Sequence, residues 1–206
     1  MGKSHRGCQC ANDNNCKKEI DTARTFVNKL PRKRNIYAVA HFDLKDSTKK
    51  IRKKPYKTIT EMLLHNKMCR NIIEQNKGQV IKELGDAVMV RFKNSGMACE
   101  CAIKVIRNLK KYGKGICTKV TVASGTIWDI KTHIEDDAYG VPVNLCSRMS
   151  KHTKLDCILF EEDSHTAISN WLHDDKRIKY YKVKDKGKDV DLLSFGFFPM
   201  RMIKVN

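Results

Sequence analysis

Two aspartates, an asparagine and an arginine stand where their types and spacing could do chemistry. Asp86 follows Gly85 between two apolar runs, with Val80, Ile81 and Leu84 before it and Val88, Val90 and Phe92 after it. That pattern is a β-hairpin with a carboxylate at its tip. A carboxylate on a rigid turn suits a divalent metal, although Gly-Asp is also ordinary turn chemistry. Asp43 closes a nearly continuous apolar run from Ile36 to Phe42, which reads as a strand buried on both faces. Two such carboxylates on one patch suit a pair of divalent ions bridging phosphate oxygens. Nucleotidyl transfer uses that arrangement because it needs charge neutralisation and alignment more than covalent help. Asn144 and Arg148 lie four residues apart in a short helical segment, so an amide and a guanidinium face the same way. Alone, such a pair is equally a solvated helix face. Lys82 with Asp137 could read a base edge, and Lys184 or Lys186 could meet a triphosphate tail.

These residues need a frame to hold them. Apolar residues from Ile20 to Leu30 recur every three or four positions, an amphipathic helix ended by Pro31. After the strand ending at Asp43, the basic run from Lys49 to Lys54 reads as a loop. Ile59, Met62, Leu63, Cys69, Ile72 and Ile73 then trace a long helix closed near Gly78. The hairpin follows, and Met97 to Leu109 repeat the helical period until Gly113. A strand from Ile116 to Trp128 leads through an acidic loop to Tyr139, and Val143 to Met149 form a short helix. A strand at Cys157 to Phe160, a helix at Asp163 to Leu172 and strands at Ile178 to Val183 and Val190 to Phe195 complete the reading. The order is α+β, a ferredoxin-like βαββαβ core with a mainly antiparallel sheet and helices on one face. In that order the first and third strands are neighbours, so Asp43 and Asp86 converge. The expected division is a tail with an amphipathic helix over 1–34 and one catalytic domain over 35–206.

The chain has 206 residues and a formal net charge of +18, which attracts polyanions. Its Lys and Arg are scattered and lack interleaved aromatics, so nucleic acid is not the expected partner. Tyr37, Phe42 and Phe92 are too few for an RNA-stacking sheet. No apolar run is long enough to span a membrane and no apolar leader opens the chain, so the expected setting is cytoplasmic. The nine cysteines read as thiols. Cys8, Cys10 and Cys16, with His5 nearby, lack the paired spacing of a zinc site and sit in what reads as an adaptable tail. Walker-type, dinucleotide-binding and zinc-protease motifs are missing.

Three ordered blocks resemble the class III nucleotidyl cyclases: His41 to Thr48, Lys82 to Met89 and Tyr139 to Met149. The resemblance spans roughly residues 35 to 195. It implies that Asp43 and Asp86, helped by the Leu44 carbonyl, bind two Mn2+ or Mg2+ ions. It further implies that Asn144 orients the ribose, Arg148 stabilises the transferring phosphoryl group, and Lys184 meets the terminal phosphates. The family's head-to-tail homodimer would take Asp43 and Asp86 from one subunit and Asn144 with Arg148 from the other. Lys82 and Asp137 fall where adenylate-specific members read the base, which favours ATP. The bare-domain layout instead resembles the pyrimidine cyclases of bacterial anti-phage Pycsar systems, and UTP or CTP is the preferred expectation. Tyr56 or Phe42 would then supply the bulk that rejects purines, and a separate effector would read the cyclic product. Lys45-Asp46 departs from the family's small apolar-Gly pair after the first metal carboxylate, and Pro142 should stiffen the entry to the Asn144 helix.

Overall fold

The computed structural model describes residues 14–28, 35–131, 136–173, 175, 178–184, 188–192 and 196–206. Contacts separate two units, Met1–Arg34 and Asn35–Asn206. In the first, α1 (Asn14–Asn28) is the amphipathic helix, starting a few residues earlier than its apolar spacing suggests. Cys8 and Cys10 lie outside the described residues, and Cys16 falls in α1.

The second unit is sorted into two layers by the alternation of β1 (Asn35–Leu44). Ala38, Ala40, Phe42 and Leu44 enter one buried cluster, and Val39 enters the other, with His41 and Asp43 on its side of the sheet. β1 is paired antiparallel on one side with β3 (Ala87–Phe92) and on the other with β4 (Thr118–Lys131). β2 (Gln79–Leu84) closes the hairpin with β3. On the Phe42 face pack α3 (Pro55–Gln75) and α4 (Ser95–Tyr112), whose Cys69, Ile73, Ala102 and Ile106 fill the same cluster. This is the expected βαββαβ core, in the order β2-β3-β1-β4.

The sheet continues through β6 (Cys157–Glu161), parallel to β4, then β10 (Met200–Val205) and β7 (Ile178–Val183). α5 (Val141–Met149) covers the Val39 face with Val143, Leu145, Cys146 and Met149. α6 (His165–Leu172) packs beside α4, and β8 (Val190–Asp191) pairs with β9 (Phe197–Phe198) apart from the main sheet. No helix among the described residues is long and apolar enough to cross a membrane. The six cysteines described with their side chains are free thiols.

Several local expectations change. The basic run begins in a helix, α2 (Ser47–Ile51), because lysine is a good helix former and Lys49 and Lys50 sit in its last turn, where the helix dipole favours cations. The acidic stretch before Tyr139 is a strand, β5 (Asp136–Tyr139), paired to the end of β4. Of the strand read over 190–195, residues 193–195 lie outside the described residues and Val190–Asp191 form the short β8. β10 went unread, and it lies between β6 and β7 with both faces covered: Met200 and Met202 on the α5 side, Ile203 and Val205 on the other.

Glu161, at the end of β6, is buried. Its Oε1 accepts from the Ser124 N–H (2.8 Å) and the Ser164 hydroxyl (2.7 Å), while Oε2 has no partner among the described residues. Burial pushes this carboxyl above its ordinary value. The folded state therefore holds the proton more tightly than the unfolded chain. The stability this contributes is complete at acid pH and is lost as pH rises through the folded value. Glu161→Gln is expected to raise the Tm at pH 8 by about 2–4 °C, with the gain shrinking towards pH 4. A gain that stays constant across that range would count against a titrating buried carboxyl.

Candidate active site

Asp43 and Asp86 meet at one end of the sheet. The β1–β3 register sets Asp43 opposite Ala87, the residue after Asp86, and the Leu44 N–H donates to the Asp86 carbonyl (3.3 Å). The hairpin turns through Gly85-Asp86 with Gly85 at φ 61°, a conformation open to glycine at little cost. Asn66 of α3 clamps this turn by donating its side-chain amide to the Gly85 carbonyl (3.0 Å). Ser47, opening α2, donates to the Asp86 carboxylate. The Asp43 carboxylate accepts from the Ser150 hydroxyl (2.6 Å), and Lys119, directly opposite it on β4, places Nζ 3.3 Å from Oδ2.

Two buried imidazoles flank the pair. His65 of α3 bonds Asn66 Oδ1 (3.0 Å) and Thr118 Oγ1 (3.1 Å), and Thr118 donates to the Asp43 carbonyl (3.2 Å). His41 lies on the Asp43 face of β1, and its Nδ1 has no partner among the described residues. Burial holds both imidazoles below their ordinary value, against the opposing pull of Asp43 and Asp86. Ser47, Asn66, Lys119 and Ser150 were not expected at this site. Only Ser47 falls within one of the three ordered sequence blocks; the others are common residue types placed by register and packing.

The turn after β1 runs through Lys45-Asp46. Asp46 sits at φ 55° in the left-handed region, where glycine is free of strain and aspartate is among the better-tolerated alternatives. The side chain of Leu44 is buried in the helix-side core, so only its backbone faces the site. Phe42 needs correction as a pocket residue. It is 0% exposed and points into the helix-side cluster, because neighbours on a strand face opposite ways and Asp43 takes the other side. Tyr56, in the first turn of α3, is 87% exposed and lines neither cavity described below.

On α5, Asn144 and Ser147 are exposed and Arg148 is half-buried, while Val143, Leu145, Cys146 and Met149 point inward. Pro142 takes the second helical position, where a missing N–H costs nothing. Lys82 and Asp137 form a two-pronged ion pair, Nζ lying 2.7 and 2.8 Å from the carboxylate oxygens. β5 delivers Asp137 there, opposite Ile130. Beside the pair lies a cavity of about 400 Å³ lined by residues that include Val80, Ile81, Arg91 and Ile130. Lys184 pairs with Asp189 and lines a larger cavity elsewhere.

The carboxylate pair fits hard divalent ions. Among the described residues no group of three or more His, Cys, Asp or Glu is poised to hold a metal. Mg2+ and ions like it commonly take one or two carboxylates and complete their shells with water and substrate phosphates. An arriving cation would displace the Lys119 ammonium from Asp43.

No protein-family profile matches the chain, and no curated protein matches it. Solved structures do. An adenylate/guanylate cyclase/hydrolase from Silicibacter pomeroyi superposes with a TM-score of 0.68 at 15% identity, covering 84% of this chain and 98% of that one. A guanylate cyclase domain from Catenaria anguillulae in complex with GTP gives 0.66 at 16%, covering 84% and 99%. The adenylyl cyclase CyaB from P. aeruginosa gives 0.64 at 17%, covering 84% and 95%. The chain has the fold of these cyclase catalytic cores, a mostly antiparallel sheet with helices.

Proposed function

We propose that this protein is a metal-dependent nucleotide cyclase, converting a nucleoside triphosphate to a 3′,5′-cyclic nucleotide and pyrophosphate. The observation that carries the reading is the meeting of Asp43 and Asp86 at adjacent strand ends in a cyclase-type fold. Asp43 and Asp86 would hold the two ions. When bound, such ions neutralise phosphate charge and favour the ionised ribose 3′ oxygen. Ser47 and Ser150 keep the two carboxylates aimed, and Asn66 keeps the hairpin tip in place. Asn144 orients the ribose and Arg148 offsets charge building on the phosphoryl group in flight. Lys184, released from Asp189 and four strands from the Asp43 of its own chain, meets the terminal phosphates from the partner subunit.

The working form is a homodimer, with Asn144 and Arg148 of the partner subunit completing each site. Tyr139 and Val141, beside Asn144, are 48% and 60% exposed, and such apolar exposure suits an interface. The substrate is UTP or CTP, on the resemblance to Pycsar cyclases, which would make the product a second messenger in bacterial anti-phage defence. ATP is the second reading, favoured by the formed Lys82–Asp137 pair. The pair alone does not choose. Each nucleobase has a hydrogen-bond donor beside an acceptor on its pairing edge, so an ammonium and a carboxylate can meet any of them, and ring size must discriminate.

Incubating the purified protein with ATP, GTP, CTP and UTP plus Mn2+ or Mg2+, and weighing the products, tests this. Cyclic UMP or CMP is expected. A dominant cyclic AMP product would move the assignment to the second reading. No cyclic product from any nucleotide, with a folded dimeric sample, would overturn the enzyme.

A further inference from the structure

The larger cavity, about 750 Å³, opens beside β6, β10 and β7 on the face that α5 covers. Its floor is apolar: Cys157, Val190 and Met202 are nearly or fully buried there. Tyr181 and Leu155 stand at its margin, 45% and 36% exposed. Around them come His152, Lys154, Lys184 and Lys204, and among the described residues no carboxylate lines the space. Lys182 also borders it, but strand alternation turns that side chain to the opposite face, across from Arg201.

The charge here is only partly compensated. Lys184 is paired with Asp189, whereas Lys154 and Lys204 have no ion-pair partner among the described residues. Lys154 and Lys204 both border the cavity, Lys204 directly across the β6–β10 ladder from Cys157 on its floor. Within one chain the cavity also lies apart from the carboxylate pair. β4 separates β1 from β6, and Cys157 faces Lys204 across the next ladder, so three strand spacings put Lys204 about 14 Å from Asp43.

We propose that this cavity is a second nucleotide site, with the base against Tyr181 over the apolar floor and the phosphates between Lys154 and Lys204. The volume falls within the range of small-molecule pockets, roughly 300–1,000 Å³. An exposed aromatic ring offers a base a stacking surface, and paired ammoniums match phosphate oxygens. Inorganic pyrophosphate would leave the apolar floor unused. If the chain cyclises nucleotides as proposed above, the occupant is its own substrate or product and the site regulates turnover. The binding itself does not depend on that reading.

Calorimetry on the full chain carrying Asp43→Asn and Asp86→Asn, in EDTA, tests this with UTP, ATP, cyclic UMP and inorganic pyrophosphate as separate probes. At least one nucleotide is expected to saturate the site. Lys154→Gln with Lys204→Gln should weaken that binding about 10-fold or more, as the loss of two charge-assisted phosphate contacts requires. Tyr181→Ala should weaken the nucleotide and spare pyrophosphate, and Asp137→Ala should change neither. Undiminished nucleotide binding by the double lysine variant would overturn the proposal. So would pyrophosphate binding as tightly as every nucleotide with Tyr181→Ala silent, which would leave only an anion patch. The four-nucleotide turnover assay can fail while this binding stands, and the reverse, so the two failures are distinguishable.

Discussion

Asp86→Asn is expected to lower cyclic-nucleotide formation by about 10³-fold, roughly 4 kcal/mol of transition-state stabilisation, with the Tm nearly unchanged. The size follows from what the carboxylate is asked to do. A phosphoryl transfer has little covalent chemistry for the protein to perform, so positioning and charge neutralisation supply most of the rate. Removing one of two anionic ligands weakens both. Stability should hold because the variant keeps what the fold uses at this position. Ser47 still finds an acceptor in the amide oxygen, the Leu44 N–H still bonds the Asp86 carbonyl, and Asn66 still holds Gly85. Asp43→Asn is a less clean test, because the Lys119 ammonium would lose its paired charge. Product assays with thermal melts on the same preparation check the expectation. Activity within about tenfold of the parent would remove Asp86 from the metal site, a loss of less than about 1.4 kcal/mol.

The parts of the fold that were legible in the sequence are those whose packing environment leaves a simple periodic trace. β1 is covered on both faces and reads as an unbroken apolar run, α4 shows its buried stripe, and Gly85 punctuates the hairpin. β10 was not legible because Met200 to Val205 alternates charged and apolar residues only weakly while both of its faces are packed. α2 was hidden by its lysines and β5 by its aspartates, since both owe their form to neighbours: Asp46 starts one, and the far end of β4 pairs the other.

The site divides in the same way. Asp43 and Asp86 were visible because each ends an element, and Asn144 with Arg148 because helical spacing puts them together. Lys119 and Ser150 reach Asp43 through ladder register and through the close of α5, relations that no local window contains. Phe42 was within reach of the sequence and was misread. Once Asp43 is set on the ligand side of a strand, the residue beside it must face away, and burial in the helix-side core follows.

Mixing a chain carrying Asp86→Asn with one carrying Arg148→Ala should restore activity that neither has alone. In α5 each residue advances about 100°, so Ser150 and Arg148 point roughly 160° apart around the axis. Ser150 is the residue of this segment that touches Asp43, so Arg148 leaves the helix on the side away from Asp43. Asn144 lies about 9 Å from Ser150 along the same axis, again on the outward side. On the proposed reading, a phosphate held at Asp43 meets these two groups from a second copy. Random pairing makes half of the dimers mixed, and each mixed dimer holds one intact and one doubly defective site, so about one quarter of parental activity is expected from a symmetric two-site dimer. If instead all four residues act within one chain, no mixture can exceed the sum of the two inactive parents. Subunit exchange must be verified by native mass spectrometry of the mixture. With exchange complete and activity still absent, the shared site fails and the enzyme proposal must find its arginine elsewhere.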